Sequence, residues 1–131
     1  METAVEEGLT GYLNENEFRQ IAHNLISNSI KSVIPGIEGR IRISGRESGN
    51  KALIEFQDNG KGMSREELTR AMEPFYTKSI NGIGIGLAIV KKLVEQNGGL
   101  MEMASACGEG TCVRLTFYRR VEDYEENISR G

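Results

Sequence analysis

The 131-residue sequence has no tryptophan, one histidine, two prolines and two cysteines. It also has no run of about 20 apolar residues, which is what a membrane-spanning helix needs. Its 16 basic residues do not outnumber its 19 acidic residues, so the sequence lacks the basic surface that binds duplex nucleic acid. These absences predict one compact soluble domain that binds no nucleic acid and makes no contact with a membrane.

The two ends of the chain are polar. The first eight residues include three glutamates and no apolar run, so no signal peptide or membrane anchor is visible and a cytoplasmic location is expected. We predict a lead-in over residues 1–13, a folded domain over 14–118 and a polar tail over 119–131.

Cys107 and Cys112 flank a glycine-containing turn and could meet across a hairpin. A cytosolic chain usually keeps such thiols reduced, and a metal site would need further ligands. The single histidine, His23, is far away in sequence. We therefore interpret the two cysteines as packing residues rather than as a disulfide or a metal pair.

The spacing of apolar residues predicts three helices and four strands. The helices are expected over residues 15–34, 64–72 and 85–97, and the strands over 40–45, 52–57, 100–104 and 111–118. Asn14 or Asn16 can cap the first helix, and Ser64 and Glu67 have the capping-box spacing at the start of the second. The segment 74–83 has no usable period and is predicted to be a loop. This order of elements favours an α+β two-layer sandwich, in which about three helices cover one face of a mixed, mostly antiparallel sheet.

The first predicted helix carries a ridge of polar side chains. Asn24, Asn28 and Lys31 are spaced four and three residues apart, so they share one side of the helix. Amide oxygens can ligate magnesium, and an ammonium group can meet phosphate. The same residues would also suit an ordinary solvated helix surface.

Two glycine-containing segments begin the second and third predicted helices. Asp58 ends a strand and is followed by Gly60 and Gly62, which let the backbone turn sharply. A carboxylate only accepts hydrogen bonds, so Asp58 suits an exocyclic amine such as that of adenine, although a plain Asp-Asn-Gly turn would look the same.

Gly82, Gly84 and Gly86 alternate at the start of the third helix. They leave room for phosphate oxygens to reach the backbone N–H groups at a helix N-terminus. The segment lacks the terminal Gly-Lys-Ser/Thr of the mononucleotide loop, and it does not follow a strand as the dinucleotide fingerprint does. Those two nucleotide folds are therefore disfavoured.

Taken in order, these elements resemble the Bergerat fold of the GHKL superfamily, which is shared by histidine kinases, type II topoisomerases, mismatch-repair ATPases and a heat-shock chaperone family. Residues 24–31 resemble the asparagine box, 58–63 the first glycine box and 82–87 the second. Residues 73–79 resemble the phenylalanine box of histidine kinases, and 91–99 and 108–111 resemble the closing helix and hairpin. The likeness to the ATP-binding catalytic domain of a bacterial sensor histidine kinase runs from about residue 14 to 117.

The resemblance implies ATP and Mg²⁺ as ligands and assigns roles to single positions. Asn28 would hold magnesium, Asp58 would bind the adenine amino group, and Asn24, Lys31 and Lys78 would act in catalysis at the phosphates. The same residues and others would contact the nucleotide: Asn24, Asn28, Lys31, Asp58, Gly60, Gly62, Met63, Phe75, Tyr76, Thr77, Lys78, Ser79, Gly82, Ile83, Gly84, Ile85, Gly86, Leu87 and Thr111. Of these, Thr111 is expected to pack or to support a ligand-contacting group.

The residue type at position 24 distinguishes the phosphotransfer branches of the superfamily from the hydrolytic ones. The topoisomerase-like branches carry a glutamate at this position to activate water, and the anti-sigma serine kinases usually keep it. An amide cannot act as a general base, so the resemblance implies transfer of the γ-phosphate to an external nucleophile. That nucleophile would be a histidine, as in the histidine kinases.

The acceptor histidine is expected outside this chain. His23 is followed by Asn24 inside the predicted helix, so we interpret it as a structural residue rather than as the phosphoacceptor. The expected partners are a dimerisation and histidine-phosphotransfer domain, in the parent chain or separate, and through it a response regulator. The isolated domain is expected to be a monomer, whether or not its parent protein is anchored in a membrane. The alternatives are an ATP-dependent interaction module, such as a degenerate kinase or an anti-sigma-type regulator, and a hydrolytic ATPase.

Three departures from the family pattern concern residues expected to bind or cover the nucleotide. Ser32 stands where many histidine kinases carry an aromatic residue that stacks on adenine. Ile83 stands where threonine is frequent, and the lid between residues 79 and 82 is short, as in nitrogen-regulation-type kinases. These departures imply weaker stacking on the base and a nucleotide more open to solvent.

Overall fold

A computed structural model describes residues 12–71 and 83–119 of the chain, with residues 83–85 described by their backbone. The described chain forms three helices and four strands, in this order: α1 (Glu15–Lys31), β1 (Ile41–Ser48), β2 (Lys51–Asp58), α2 (Arg65–Ala71), α3 (Ile83–Gln96), β3 (Leu100–Ala106) and β4 (Gly110–Tyr118). The strands form one sheet in the order β1-β2-β4-β3. Every pairing within the described chain is antiparallel. The predicted α+β class is confirmed.

Helix α1 begins directly after its capping residue, Asn14, as predicted, and ends three residues earlier than predicted. The Asn14 side chain accepts hydrogen bonds from the N–H groups of Asn16 and Glu17, at 2.8 and 3.3 Å. The helix ends at Lys31, not at residue 34, because the residue before a proline is disfavoured in the helical region. Pro35 therefore stops the helix although the apolar spacing continues to Val33.

The two hairpins are longer than their apolar patterns predict. β1 and β2 pair over eight residues each, from Ile41 opposite Asp58 to Ser48 opposite Lys51, around the two-residue turn at Gly49. A two-residue turn brings the polar strand ends next to the turn into register, so they pair although they carry no hydrophobic signal. β3 and β4 likewise pair up to Ala106 opposite Gly110.

The core lies between the inner face of the sheet and helices α1 and α3. Alternate residues of β2 and β4 point to this face, and a stripe of each helix covers them. The largest fully buried side chains are Tyr12, Phe117, Leu13, Ile21, Ile54, Leu115, Val90 and Val94. Tyr12 and Leu13, which precede α1, thus belong to the core.

Helix α2 begins with the predicted capping box. The N–H of Glu67 donates to the Ser64 hydroxyl at 3.1 Å, and the N–H of Ser64 donates to the Glu67 carboxylate at 3.0 Å. These hydrogen bonds from Ser64 lower the pKa of Glu67. The capping box places the start of α2 directly after the loop that contains Gly60 and Gly62.

A group of contacts, which we name the terminal clasp, joins both ends of the described chain to the β1–β2 turn. The Tyr12 hydroxyl donates to Glu47 at 3.2 Å, and the Arg119 guanidinium lies over the Tyr12 ring at 5.2 Å. Arg119 also approaches Glu47 at 3.7 Å, and its backbone N–H donates to the carbonyl of Asn50 at 2.8 Å. The clasp therefore lies at the end of β2 that is opposite Asp58.

Candidate functional site

A small pocket opens at the Asp58 end of the sheet, between α1, α3 and the inner face of β2, β3 and β4. Its apolar lining comes from six side chains and its polar lining from five. The apolar residues are Leu25, Phe56, Met63, Leu87, Met103 and Val113, and the polar ones are Asn28, Ser29, Ser32, Asp58 and Thr111. An apolar slot with a few converging polar groups has the lining of a small-molecule site. Its accessible volume is about 30 Å³, against roughly 300 Å³ or more for such sites, so its walls would have to move apart to admit a ligand.

The Asp58 carboxylate is held from three sides. Its Oδ1 accepts the backbone N–H groups of Gly60, at 2.9 Å, and of Thr111, at 3.1 Å. Its Oδ2 accepts the Ser29 hydroxyl at 2.7 Å. Since a carboxylate has about four acceptor positions, these three donors leave about one position, on Oδ2, for a ligand.

The loop after Asp58 fits closely against the β3–β4 turn. Gly62 has φ +68°, and a Cβ on it would overlap the carbonyl oxygen of Ala106. Gly110 has φ +97°, and a Cβ on it would overlap the carbonyl oxygen of Asp58. Both positions therefore require glycine, for space as well as for backbone conformation.

Serine and threonine hydroxyls fix the far side of this loop. The N–H of Met63 donates to the Ser105 hydroxyl at 2.8 Å, and that hydroxyl lies 2.8 Å from the hydroxyl of Thr111. On the near side, the N–H of Lys61 donates to the carbonyl of Ser32 at 2.8 Å, which connects the loop to the end of α1. The pocket floor is therefore set by hydrogen bonds from three separate elements.

Two amides on α1 have no partner for their nitrogen among the described residues. The Nδ2 atoms of Asn28, which lines the pocket, and of Asn24, about one turn earlier on the helix, are buried and make no hydrogen bond within 12–71 and 83–119. A buried donor without an acceptor costs about 1–3 kcal/mol, so such groups call for a specific explanation. Two donors on one ridge of α1 indicate a site for a ligand that brings acceptor oxygens.

Helix α3 passes the Asn28 amide at Gly86, the fourth residue of the helix. A Cβ on Gly86 would lie 3.1 Å from Oδ1 and 3.3 Å from Nδ2 of Asn28. Any larger residue at this position would therefore press on the Asn28 amide. The first turn of α3 contains no acidic residue, and its free backbone N–H groups favour an anion. Lys31 is exposed and forms no ion pair with any residue in 12–71 or 83–119.

The structure describes thirteen of the predicted positions and places nine of them at or beside the pocket. The residues at or beside the pocket are Asn24, Asn28, Asp58, Gly60, Gly62, Met63, Gly86, Leu87 and Thr111. The backbone of Ile83, Gly84 and Ile85 lies in the first turn of α3. The predicted lid positions Phe75, Tyr76, Thr77, Lys78 and Ser79, together with Gly82, lie outside the described residues.

Sequence reasoning missed two serines that shape the pocket. Ser29 follows Asn28 directly and could have been noted as a hydroxyl on the same helix, but its partner Asp58 is 29 residues away. Ser105 is 42 residues from Met63 and lies in a strand whose pattern gives no sign of a functional side chain. Both roles arise from contacts between different elements, and the spacing of residues along one element carries no information about such contacts.

The cysteines lie away from the pocket. Cys112 faces the outer side of the sheet, where its thiol lies 3.9 Å from a Glu55 oxygen, and burial raises the pKa of this thiol. Cys107 is exposed in the β3–β4 turn, and both cysteines are free thiols. Within the described residues, no three His, Cys, Asp or Glu side chains are grouped so that they could hold a metal ion.

The family of histidine kinase-, DNA gyrase B- and HSP90-like ATPases matches residues 13–121, and the chain belongs to it. Within that family it is similar to the ATP-binding domain of sensor histidine kinases, as the relatives below illustrate.

Sensor histidine kinase ZraS of Klebsiella oxytoca is 34% identical over 113 residues, which are 86% of this chain and 24% of ZraS. The mycobacterial sensor histidine kinase MprB superposes with a TM-score of 0.68 at 26% identity, over 82% of this chain and 74% of the solved chain. Full-length ShkA in complex with AMPPNP superposes with a TM-score of 0.67 at 26% identity, over 81% of this chain and 22% of ShkA. The chain thus spans about a quarter of the length of ZraS.

Among the described residues, no helix is both long and apolar enough to span a membrane.

Proposed function

We propose that the chain binds Mg-ATP and presents the γ-phosphate for transfer to a histidine on a separate dimerisation domain. The observation that carries this proposal is the pair of buried amide nitrogens of Asn24 and Asn28, which have no partner among the described residues, on the α1 ridge that reaches the Asp58 pocket at Asn28. Two amide donors on one ridge, one of them beside the start of α3, suit a ligand with many acceptor oxygens, such as a triphosphate.

The base would occupy the apolar slot. Leu25, Phe56 and Met63 are apolar walls, and Asp58 offers an acceptor at the end of the slot. Adenine carries an exocyclic amine on a flat apolar ring, which matches an acceptor-only group between such walls. The complex of the similar protein ShkA contains AMPPNP, an ATP analogue, and this supports the choice of adenine nucleotide.

The phosphates would lie between α1 and the start of α3. Asn24 and Asn28 would donate to phosphate oxygens, Lys31 would neutralise charge, and the α3 backbone would supply further donors. Lys78 and the other lid positions are proposed to cover the nucleotide by resemblance alone.

Magnesium fits the donor set on this ridge. The Asn28 amide oxygen is a hard neutral ligand, and Mg²⁺ usually takes few protein ligands beside phosphate oxygens and water. The absence of a three-carboxylate cluster among the described residues agrees with an ion that arrives with the nucleotide. When bound, Mg²⁺ would neutralise charge on the phosphates. Asn28 would hold it, and Asn24 would remain a phosphate donor.

The described part of the pocket favours transfer over hydrolysis. Asp58 is the one carboxylate among the lining residues, and three protein donors already hold it. Asn24 cannot take a proton from water, because an amide is not a general base. We therefore propose that the acceptor is a histidine that another domain brings to the γ-phosphate, from which the phosphoryl group passes on to a response regulator.

We further propose that the isolated domain is a monomer and works on the cytoplasmic side, whatever segment anchors its parent. His23 is exposed on α1 and lines no part of the pocket, so it is not the proposed acceptor.

Mixing the protein with the dimerisation hairpin of a related sensor kinase and γ-³²P-ATP tests the transfer. We expect label on the hairpin that is labile in acid and stable in base, as a phosphohistidine is, and none on a hairpin whose histidine is replaced by alanine. Tight ATP binding without label would instead favour an ATP-dependent interaction module. Sustained release of phosphate by the protein alone would favour a hydrolase.

Replacing Gly86 with alanine should weaken ATP binding about tenfold, the scale of one hydrogen bond. The added methyl group would press on the Asn28 amide at 3.1 Å and displace it. The melting temperature should stay level or rise, because alanine favours a helix interior over glycine by about 0.5–1 kcal/mol. Calorimetric titration with Mg-ATP and a thermal melt measure the two effects.

Glu95→Ala is the matched control for Gly86→Ala, because Glu95 is exposed near the other end of α3. It should leave the ATP affinity unchanged. If a folded Gly86→Ala variant bound ATP as well as the parent protein does, Asn28 would not be a nucleotide contact.

A further inference from the structure

The Ser29 hydroxyl is the one side-chain donor to Asp58 among the described residues. Its Oγ lies 2.7 Å from Asp58 Oδ2, and both groups line the pocket. The hydroxyl must be the donor, because a carboxylate can only accept. We infer that Ser29 is a specificity-determining residue, which makes the pocket select a 6-aminopurine nucleotide such as ATP over a 6-oxopurine nucleotide such as GTP; this rests on the proposed function.

The selection follows from a count of protons. A serine hydroxyl has one proton and two lone pairs, and the proton of Ser29 is used on Asp58. Toward the pocket, Ser29 and Asp58 therefore offer only acceptors. The exocyclic amine of adenine brings two protons to this pair. The oxo group of guanine brings none, and it would face two acceptors and no donor.

Ser29 cannot easily turn to serve an oxo group. To donate to the base, it would have to give up a hydrogen bond to a charged group, which is among the stronger kinds in proteins. Among the described residues, no other donor to Asp58 would replace it, because the backbone N–H groups of Gly60 and Thr111 point to Oδ1. The hydroxyl is thus fixed in its donor direction by Asp58.

The role of Ser29 differs from that of a simple spacer. In Ser29→Ala, a water molecule can take the place of the hydroxyl, and a water has two protons where the hydroxyl has one. That water can donate to Asp58 and to an oxo group at the same time. Removal of the hydroxyl should therefore improve GTP binding while it slightly weakens ATP binding.

The experiment measures the dissociation constants of ATP and GTP for the parent protein and three variants by calorimetric titration. In Ser29→Ala, the preference for ATP over GTP should fall about tenfold, the scale of one hydrogen bond to a charged group. Ser29→Thr keeps the hydroxyl and should therefore keep the preference of the parent protein for ATP over GTP. Ser27→Ala, two residues earlier on α1 and outside the pocket lining, should leave it unchanged.

An unchanged preference in Ser29→Ala, or an equal loss of both nucleotides, would overturn the inference and leave the proposed function standing. A parent protein that binds neither nucleotide would overturn the proposed function itself. Thermal melts of all four proteins ensure that only folded variants are compared.

Discussion

Asp58→Asn is expected to weaken ATP binding about 100-fold, the effect of losing a charged acceptor and facing a donor in its place. The backbone N–H groups of Gly60 and Thr111 both point at the Oδ1 position, so the asparagine oxygen must sit there. The amide nitrogen then takes the Oδ2 position, where it faces the Ser29 hydroxyl and the adenine amine, which are both donors. Calorimetric titration with Mg-ATP measures the loss.

Glu55→Gln is the matched control for Asp58→Asn. Glu55 also lies on β2, but on the outer face of the sheet, where it pairs with Arg114 at 3.3 Å. The same change of a carboxylate to an amide should leave ATP affinity unaltered there. If Asp58→Asn kept the affinity of the parent protein, the assignment of the base pocket would have to be abandoned.

Gly62→Ala is expected to lower the free energy of unfolding by about 4 kcal/mol, at the severe end of single substitutions. A Cβ on Gly62 would overlap the carbonyl oxygen of Ala106, and that carbonyl belongs to backbone that cannot turn away as a side chain could. The loop would have to separate from the β3–β4 turn, so ATP binding should fail together with stability. Chemical denaturation measures the first effect and nucleotide titration the second.

Gly49→Ala separates the two causes of this loss. Gly49 has φ +62°, close to the φ +68° of Gly62, but a Cβ on it would meet nothing within 4 Å. It therefore carries the backbone strain without the overlap and should cost only about 1 kcal/mol. Equal losses in the two variants would mean that the close approach of Gly62 to Ala106 is not what the fold depends on.

Sequence patterns predicted the starts of helices α1 and α2 better than the end of α1 and the lengths of the strands. The Asn14 cap and the Ser64–Glu67 capping box are local interactions, so residue types at a fixed spacing contain the information. The end of α1 is also local, but the apolar stripe continues past the point where Pro35 stops the helix. The strand ends depend on the partner strand, which no single-strand pattern includes.

The candidate site shows the same division. The ridge of Asn24 and Asn28 could be predicted because helical spacing puts both on one side of α1. The three hydrogen bonds to Asp58 could not be predicted, because Ser29, Gly60 and Thr111 reach it from three parts of the chain. The buried amide nitrogens likewise become visible only once α3 is packed against α1.

The terminal clasp places residues 12 and 119 far from the pocket. The two residues meet beside Asn50, and the eight residues of β2 separate that turn from Asp58, a span of about 25 Å at 3.3 Å per residue. At both residues the chain therefore leaves the described fold on the side away from Asp58, so neither residue obstructs the approach of a ligand to the pocket.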